Sequence, residues 1–227
     1  MSKIVSYEKK ENIAIITIDD GKANAVSPQF VEEVNAALDR AESDKAVVIL
    51  TGRPGKFSAG FDLSVVKQGG KAQADLFRSG AELAIRLIGF PFPVIIAGNG
   101  HCLAMGALLL LSTDLRIGVE GNYKFGLNEV GIGMTIMHWA VEIARARLSP
   151  KYLGRSVVNS EIYTPQGAVE AGFLDEIVPE EQLMEKAMQS ARVLAKIDMD
   201  AHHVTKLRVK EEVINAINEG IKKDFGS

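Results

Sequence analysis

The 227-residue sequence is 47% hydrophobic and 24% charged, with 26 Lys and Arg against 29 Asp and Glu for a formal net charge of −3. Those proportions fit an ordinary globular chain of one large domain or two small ones, and the slight acidity argues against nucleic acid as a partner. The single cysteine, Cys102, excludes an internal disulfide and points to a reducing compartment. With no run approaching ~18 apolar residues and no leader pattern at the start, no membrane span is expected, and cytoplasm is the default location.

Val5 to Ile18 reads as two strands joined by the polar KKEN turn, the second almost continuously apolar, as a strand buried on both faces would be. After a loop from Asp19 to Ser27, Ser27 and Pro28 supply an N-cap and a first helical position. Phe30, Val34, Ala37, Leu38 and Ala41 then recur at helical spacing. A strand at Val47 to Leu50 leads through the glycine-punctuated TGRPGKFSAG into FDLSVV, and the small, polar stretch Gly69 to Ala74 reads as an exposed, mobile loop. A helix is expected from Asp75 to Ile88, ended by Phe90-Pro91-Phe92-Pro93, followed by a buried strand at Val94 to Ala97. The turn from Gly98 opens an apolar helical segment running to Leu111, and another strand follows at Leu115 to Val119. Helices are predicted near Met137 to Ala146, Pro150 to Val157, Pro165 to Ala171, Glu180 to Ala195 and Ala201 to Lys223. Alternating strands and helices imply an α/β class with a mainly parallel sheet, followed by a helical C-terminal part.

Two glycine-containing turns, SAGFDL and NGHCLAMG, each follow a buried strand and open a helix. Backbone N–H groups at such turns point outward, so two that converge make an oxyanion site; either one alone is more often a plain structural connection. Glu129, in KFGLNEVGIG, is a lone carboxylate among glycines and a candidate catalyst, although a surface glutamate is the commoner reading of such a residue. His101 and His138 have no H-x-x-x-H or second cysteine beside them, so no metal is expected. G-x-S-x-G, P-loop and G-x-G-x-x-G patterns are absent, which leaves serine hydrolase and nucleotide chemistry without their parts.

Taken together, GKANAVS, FSAGFDL, GHCLAMGALLLLSTDLRIG, YKFGLNEVGIG and TPQGAVEAGFLDEIVP, in that order, resemble the crotonase family, also called the enoyl-CoA hydratase/isomerase superfamily. The resemblance runs from about Val5 to about Val178, with a weaker helical tail. It implies a spiral of strand-strand-helix units as a core over residues 1–178, and a helical segment over 179–227 at an oligomer interface. A homotrimer or hexamer, with Val204, Leu207, Val213, Ile214 and Ile217 of the tail against neighbouring subunits, is expected.

The resemblance further implies an acyl-CoA substrate, coenzyme A being part of that substrate and no separate cofactor being needed. Two backbone N–H groups, at Phe61 and Met105, would hold the thioester oxygen as it becomes enolate-like; Met105 stands where glycine is usual. Ala23, Ala25, Ala59, Gly60, Asp62 and Leu63 would border the CoA moiety. Gly106, Leu108, Met134 and Trp139 would flank the acyl group, with core packing the competing role for Met134 and Trp139. Many relatives carry a longer basic tail near CoA than the KKDFGS with which this sequence closes. Hydratases of the family carry two glutamates, and here the first position is Leu108 and the second Glu129. Adding water benefits from two acid/base groups, whereas moving a double bond needs one, so the pattern is most similar to the Δ3,Δ2-enoyl-CoA isomerases. A weak hydratase, another enolate reaction, and a non-catalytic acyl-CoA-binding or RNA-associated homologue are the competing readings.

Overall fold

In the computed structural model, which describes residues 3–226, β1 (Val5–Lys10) and β2 (Ile13–Ile18) form an antiparallel hairpin pairing Val5 with Ile18 and Lys10 with Ile13. The expected KKEN turn shortens to Glu11 and Asn12, with Glu11 in the left-handed region at φ 57°. Helix α1 (Pro28–Ser43) starts as its sequence dictates, the Ser27 hydroxyl accepting a hydrogen bond from the Phe30 amide at 3.1 Å.

From here each turn of the chain lays down one strand in each of two sheets. The pairs are β3 (Val47–Thr51) with β4 (Gly55–Ser58), β5 (Val94–Gly98) with β6 (Gly100–Leu103), and β7 (Leu115–Val119) with β8 (Phe125–Gly126). Helices α2 (Leu63–Val66) and α3 (Gly70–Gly89) separate the first two pairs, and α4 (Met105–Leu111) the next. With β9 (Glu176–Val178) the large sheet runs β1-β2-β3-β5-β7-β9, all parallel beyond the first hairpin, and the small parallel sheet runs β4-β6-β8. The small sheet is what turns a flat α/β alternation into the spiral of strand-strand-helix units that the resemblance implies.

Two readings are corrected. The segments taken as glycine-rich links after β3 and β5 contain strands β4 and β6, and the stretch taken as a mobile loop from Gly69 to Ala74 is the first turn of α3, which begins at Gly70. Gly69 at φ 67° and Gly70 at φ 55° make the sharp entry into that helix, a conformation only glycine adopts without strain.

The apolar runs of β2, β3 and β5 are buried on both faces. Ile16, Val48, Leu50 and Ile96 face a core shared with α1, α3 and α4, while Ile13, Ile15, Val47, Ile49 and Ile95 face the other way. Helices α5 (His138–Arg147), α6 (Pro150–Val157) and α7 (Pro165–Ala171) close the first core, and Leu183, Ala187 and Ala191 of α8 (Leu183–Leu194) cover the second face. Helix α9 (Met199–Phe225) lies across α3 and α5, burying Ile217 completely and Val213 and Ile214 in part; Val204 and Leu207 stay 50% and 40% exposed. Strand β9 ends at Val178, and α8 and α9 beyond it pack on the same chain. Among the described residues no helix is long and apolar enough to cross a membrane.

Candidate active site

Sequence neighbours of Asn24 tie the first loop to the small sheet. This fully buried residue, at φ 50°, donates through Nδ2 to the carbonyls of Ile18 (3.0 Å) and Phe57 (3.1 Å), and its Oδ1 accepts from the Asp20 amide at 3.0 Å. The Ser58 hydroxyl donates to the Asn24 carbonyl at 2.7 Å. Thus anchored, the loop runs beside residues 59–62: the Ala59 amide donates to the Ala23 carbonyl (3.1 Å), the Val26 amide to Gly60 (2.8 Å) and the Asp62 amide to Val26 (3.0 Å). Ala23, Ala25, Ala59, Gly60 and Asp62 therefore form one strip. Asp62 caps α2 through Ser64, and Leu63 is 54% exposed at its end. Asn24 and Ser58 were not singled out in the sequence; a small polar residue inside the alanine-rich GKANAVS was the available signal.

The second turn packs against the first, backbone to backbone. A Cβ on Gly60 would lie 2.7 Å from the Ala104 Cβ and 3.3 Å from the Met105 nitrogen, and one on Gly106 would lie 2.7 Å from the Ser58 carbonyl oxygen. Both glycines are thus required by close approach. Ala104 has φ 49° and ψ −125°, a conformation that strains any residue with a side chain by about 1–3 kcal/mol. Its effect is to turn the chain sharply into α4, leaving the Met105 amide outside any helical hydrogen bond. The Phe61 amide is likewise unused, because its bridge to Val26 is made through the groups on either side of it. Neither amide donates a hydrogen bond among the described residues, and the two turns that carry them lie against each other at Gly60 and Ala104.

Side chains close a small cavity of about 40 Å³, which Phe61 lines and Met105 and Gly106 do not. Phe61, Leu108, Glu129, Met134 and Trp139 line it, together with Phe77, Ile136 and Met137, which the sequence had not marked. The Phe61 and Phe77 rings pack at 4.8 Å between centroids, and Gly80 leaves the space in α3 that the Phe61 ring fills. Trp139 is 1% exposed, so core packing and cavity lining are here the same role. Its position depends on α9: a Cβ on Gly220 would stand 2.5 Å from the Trp139 nitrogen, and Asp224 accepts from the Trp139 amide at 3.2 Å and pairs with His138 at 2.6 Å.

Glu129 follows β8 and begins the tight turn Val130–Ile132; its carbonyl accepts the amides of Ile132 (3.1 Å) and Met134 (2.9 Å), with Gly133 at φ 81° closing the loop. The carboxylate points inward, contrary to the common reading of an exposed glutamate. Its Oε2 is buried without a hydrogen-bond partner, and burial pushes the group up from 4.5 to about 7 with no cation to oppose it. A carboxyl so tuned exchanges its proton near neutral pH.

The family model described as enoyl-CoA hydratase/isomerase matches residues 8–226. The chain belongs to the enoyl-CoA hydratase/isomerase, or crotonase, family. A solved enoyl-CoA hydratase/isomerase family protein from Pseudomonas syringae is 46% identical, with a TM-score of 0.97 over 98% of this chain and 96% of that one. The enoyl-CoA isomerase of Mycobacterium tuberculosis is 39% identical at a TM-score of 0.95, over 99% and 98% of the two chains. Human mitochondrial enoyl-CoA delta isomerase 1 is 28% identical over 213 residues, covering 92% of this chain and 70% of that protein. Crotonase-family membership makes this an acyl-CoA enzyme, an isomerase or a hydratase. Among the described residues no cluster of three or more His, Cys, Asp or Glu could hold a metal. Cys102 is fully buried, and its thiol is pushed up by that burial.

Proposed function

We propose that the chain shifts the double bond of an enoyl-CoA thioester between the 3 and 2 positions, with Glu129 as the single proton carrier. The observation that carries this reading is the lone carboxyl, one oxygen of it buried and unpartnered, in a mostly apolar cavity that Leu108 also lines. Glu129 takes a proton from C2, the electron pair moves onto the thioester oxygen, and the same proton returns to C4 as the enolate collapses. No atom is gained or lost. The Phe61 and Met105 amides stabilise the enolate oxygen, each such donor being worth about 3–4 kcal/mol in sites of this kind. Ala23, Ala25, Ala59, Gly60, Asp62 and Leu63 border the CoA portion, and Gly106, Leu108 and Met134 the acyl carbons.

A cavity of about 40 Å³ holds little beyond a water molecule, far below the ~300 Å³ or more of a ligand pocket, so substrate enters by displacing the wall. Residues 130–137 supply the means: Gly131 and Gly133 flank an exposed Ile132, and Met134 and Met137 are side chains that re-pack readily. A hydratase would need a second group to position water, and Leu108 offers none. The test is to supply a 3-enoyl-CoA and a 2-enoyl-CoA separately and identify the products by mass. Isomerisation leaves mass unchanged; addition of water to the 2-enoyl substrate at a comparable rate would sink the reading.

Assembly as trimers extends the same proposal, because Val193, Val204 and Val209 remain 61%, 50% and 72% exposed on α8 and α9. Light scattering at micromolar concentration reporting a monomer would remove it.

A further inference from the structure

Glu129 lies on a turn that the rest of the molecule holds at very few points. Its carbonyl closes the turn on itself, and from Leu127 to Ile136 a single hydrogen bond leaves the segment among the described residues: the Gly131 amide donates to the Ser160 hydroxyl at 2.8 Å. The approach is close, since a Cβ on Gly131 would lie 3.4 Å from the Ser160 Cβ. Ser160 belongs to the loop between α6 and α7 and has φ 52°. A residue with a side chain enters that left-handed region at a cost that glycine escapes. The hydroxyl therefore stands where the backbone alone favours glycine.

The loop that carries Ser160 is itself firmly mounted. Arg155 donates to both carboxylate oxygens of Glu161, at 2.6 and 2.5 Å, and the Glu161 amide donates to the Arg155 carbonyl at 3.0 Å. Three residues after Ser160, Tyr163 exchanges both backbone hydrogen bonds with Phe125 of β8, at 3.0 and 2.8 Å, and its hydroxyl pairs with Ser156 at 3.0 Å. Gly126 lies so near that a Cβ on it would stand 2.9 Å from the Glu161 carbonyl oxygen. One loop thus grips the chain on both sides of Glu129, at Phe125 and Gly126 before it and at Gly131 after it.

We infer that Ser160 is a positioning residue for the reaction: its hydroxyl tethers the Glu129 turn at Gly131, so that the wall from Gly133 onward yields to substrate while the carboxyl keeps its place. This rests on Glu129 being the proton carrier. Misplacing a catalytic group by about 1 Å costs turnover on the order of 10²-fold, which is what the tether guards against. A released turn would also let water reach the orphan Oε2, and solvation of the charged form would draw the group down from about 7 toward 4.5.

The experiment is steady-state kinetics of the full chain on a 3-enoyl-CoA from about pH 5 to pH 9, with thermal unfolding of the same samples. No other residue lining the cavity is ionisable, so the inflection in kcat/KM reports Glu129. Ser160→Gly removes the hydroxyl and suits the backbone, so Tm should change little. The plateau kcat should fall roughly tenfold with KM nearly unchanged, and the inflection should move to lower pH. Ser160→Ala should show the same kinetic loss, and serves if glycine loosens the loop. Ser160→Asn, which also tolerates φ above zero and carries an acceptor oxygen, should keep kcat and the inflection near wild type. A Ser160 that merely braces its loop would leave kcat and the inflection unmoved in the first two variants, which would overturn the proposal. So would a Ser160→Asn chain no better than Ser160→Gly. A wild type with no inflection near 7 is a distinct failure, removing Glu129 as the base and the tether's purpose with it.

Discussion

The two ends of α4 hold carboxylates in opposite ways. Beyond its last turn, Asp114 is held by a lysine and a backbone amide, and nearby Asp175 by Arg116. Beside its first turn, Glu129 has no cation and an oxygen with no partner. The chain therefore pairs these partly exposed carboxylates with cations where the need is structural. Leaving Glu129 alone raises its proton affinity into the neutral range, where a proton can be taken and returned.

Removing each carboxylate's defining feature tests that contrast. Glu129→Gln is expected to lower isomerase turnover by roughly 10²–10⁴-fold with little change in CoA-ester affinity; steady-state kinetics on a folded variant with near-normal turnover would return Glu129 to a structural role. Lys206→Met should act the other way, costing about 3–5 kcal/mol of stability through the stranded Asp114 charge. Urea unfolding measures it, and the chemistry of the cavity should persist.

The pH dependence of stability separates the two sites next. Glu129 has a folded value, about 7, above its ordinary 4.5, so its contribution is fully present below 4.5 and is lost as pH rises through 7. That amounts to about 3 kcal/mol across the window. Wild type should lose this increment between pH 4.5 and 8, and Glu129→Gln should not. In the reaction the sign reverses: kcat/KM should climb with pH through about 7 as the base ionises. A flat profile would contradict the assignment.

The smallest and most specific effect concerns Leu108. Leu108→Glu puts a second carboxyl opposite Glu129, and hydration of a 2-enoyl-CoA should rise roughly tenfold over background while isomerisation slows, because two close carboxylates resist joint ionisation. The product ratio is the readout, taken after a folding check because an unpaired buried carboxyl is destabilising. No gain in a folded variant would show that the apolar wall is not what excludes water.

Much of this architecture was legible before any coordinates. The long apolar strands and the amphipathic helices declare themselves by period, and Ser27-Pro28 and Thr164-Pro165 mark helix starts that the structure keeps. The small sheet was not legible, since β4, β6 and β8 have two to four residues each, too few to show alternation, and each includes a glycine. Phe61, Met105 and Glu129 were singled out by motif order alone, and nothing local in the sequence distinguishes a buried Glu129 from an exposed one. It lines its cavity together with Leu108 and Trp139, residues brought there by other helices. Phe77, Ile136 and Met137 were missed for the same reason: each is apolar, and only the fold says which apolar residues surround a cavity.

The docking of α9 on α5 has a consequence for how the molecule is made. Gly220 and Asp224 seat Trp139, and Arg78 of α3 donates to the Phe225 carbonyl at 3.2 Å, so residues late in the chain fix two walls of a cavity whose other parts are complete by Met137. On a ribosome adding about 5–20 residues per second, those earlier parts wait several seconds for the helix that secures them. A nascent chain arrested before residue 217 should therefore have its large sheet formed and its cavity open to solvent.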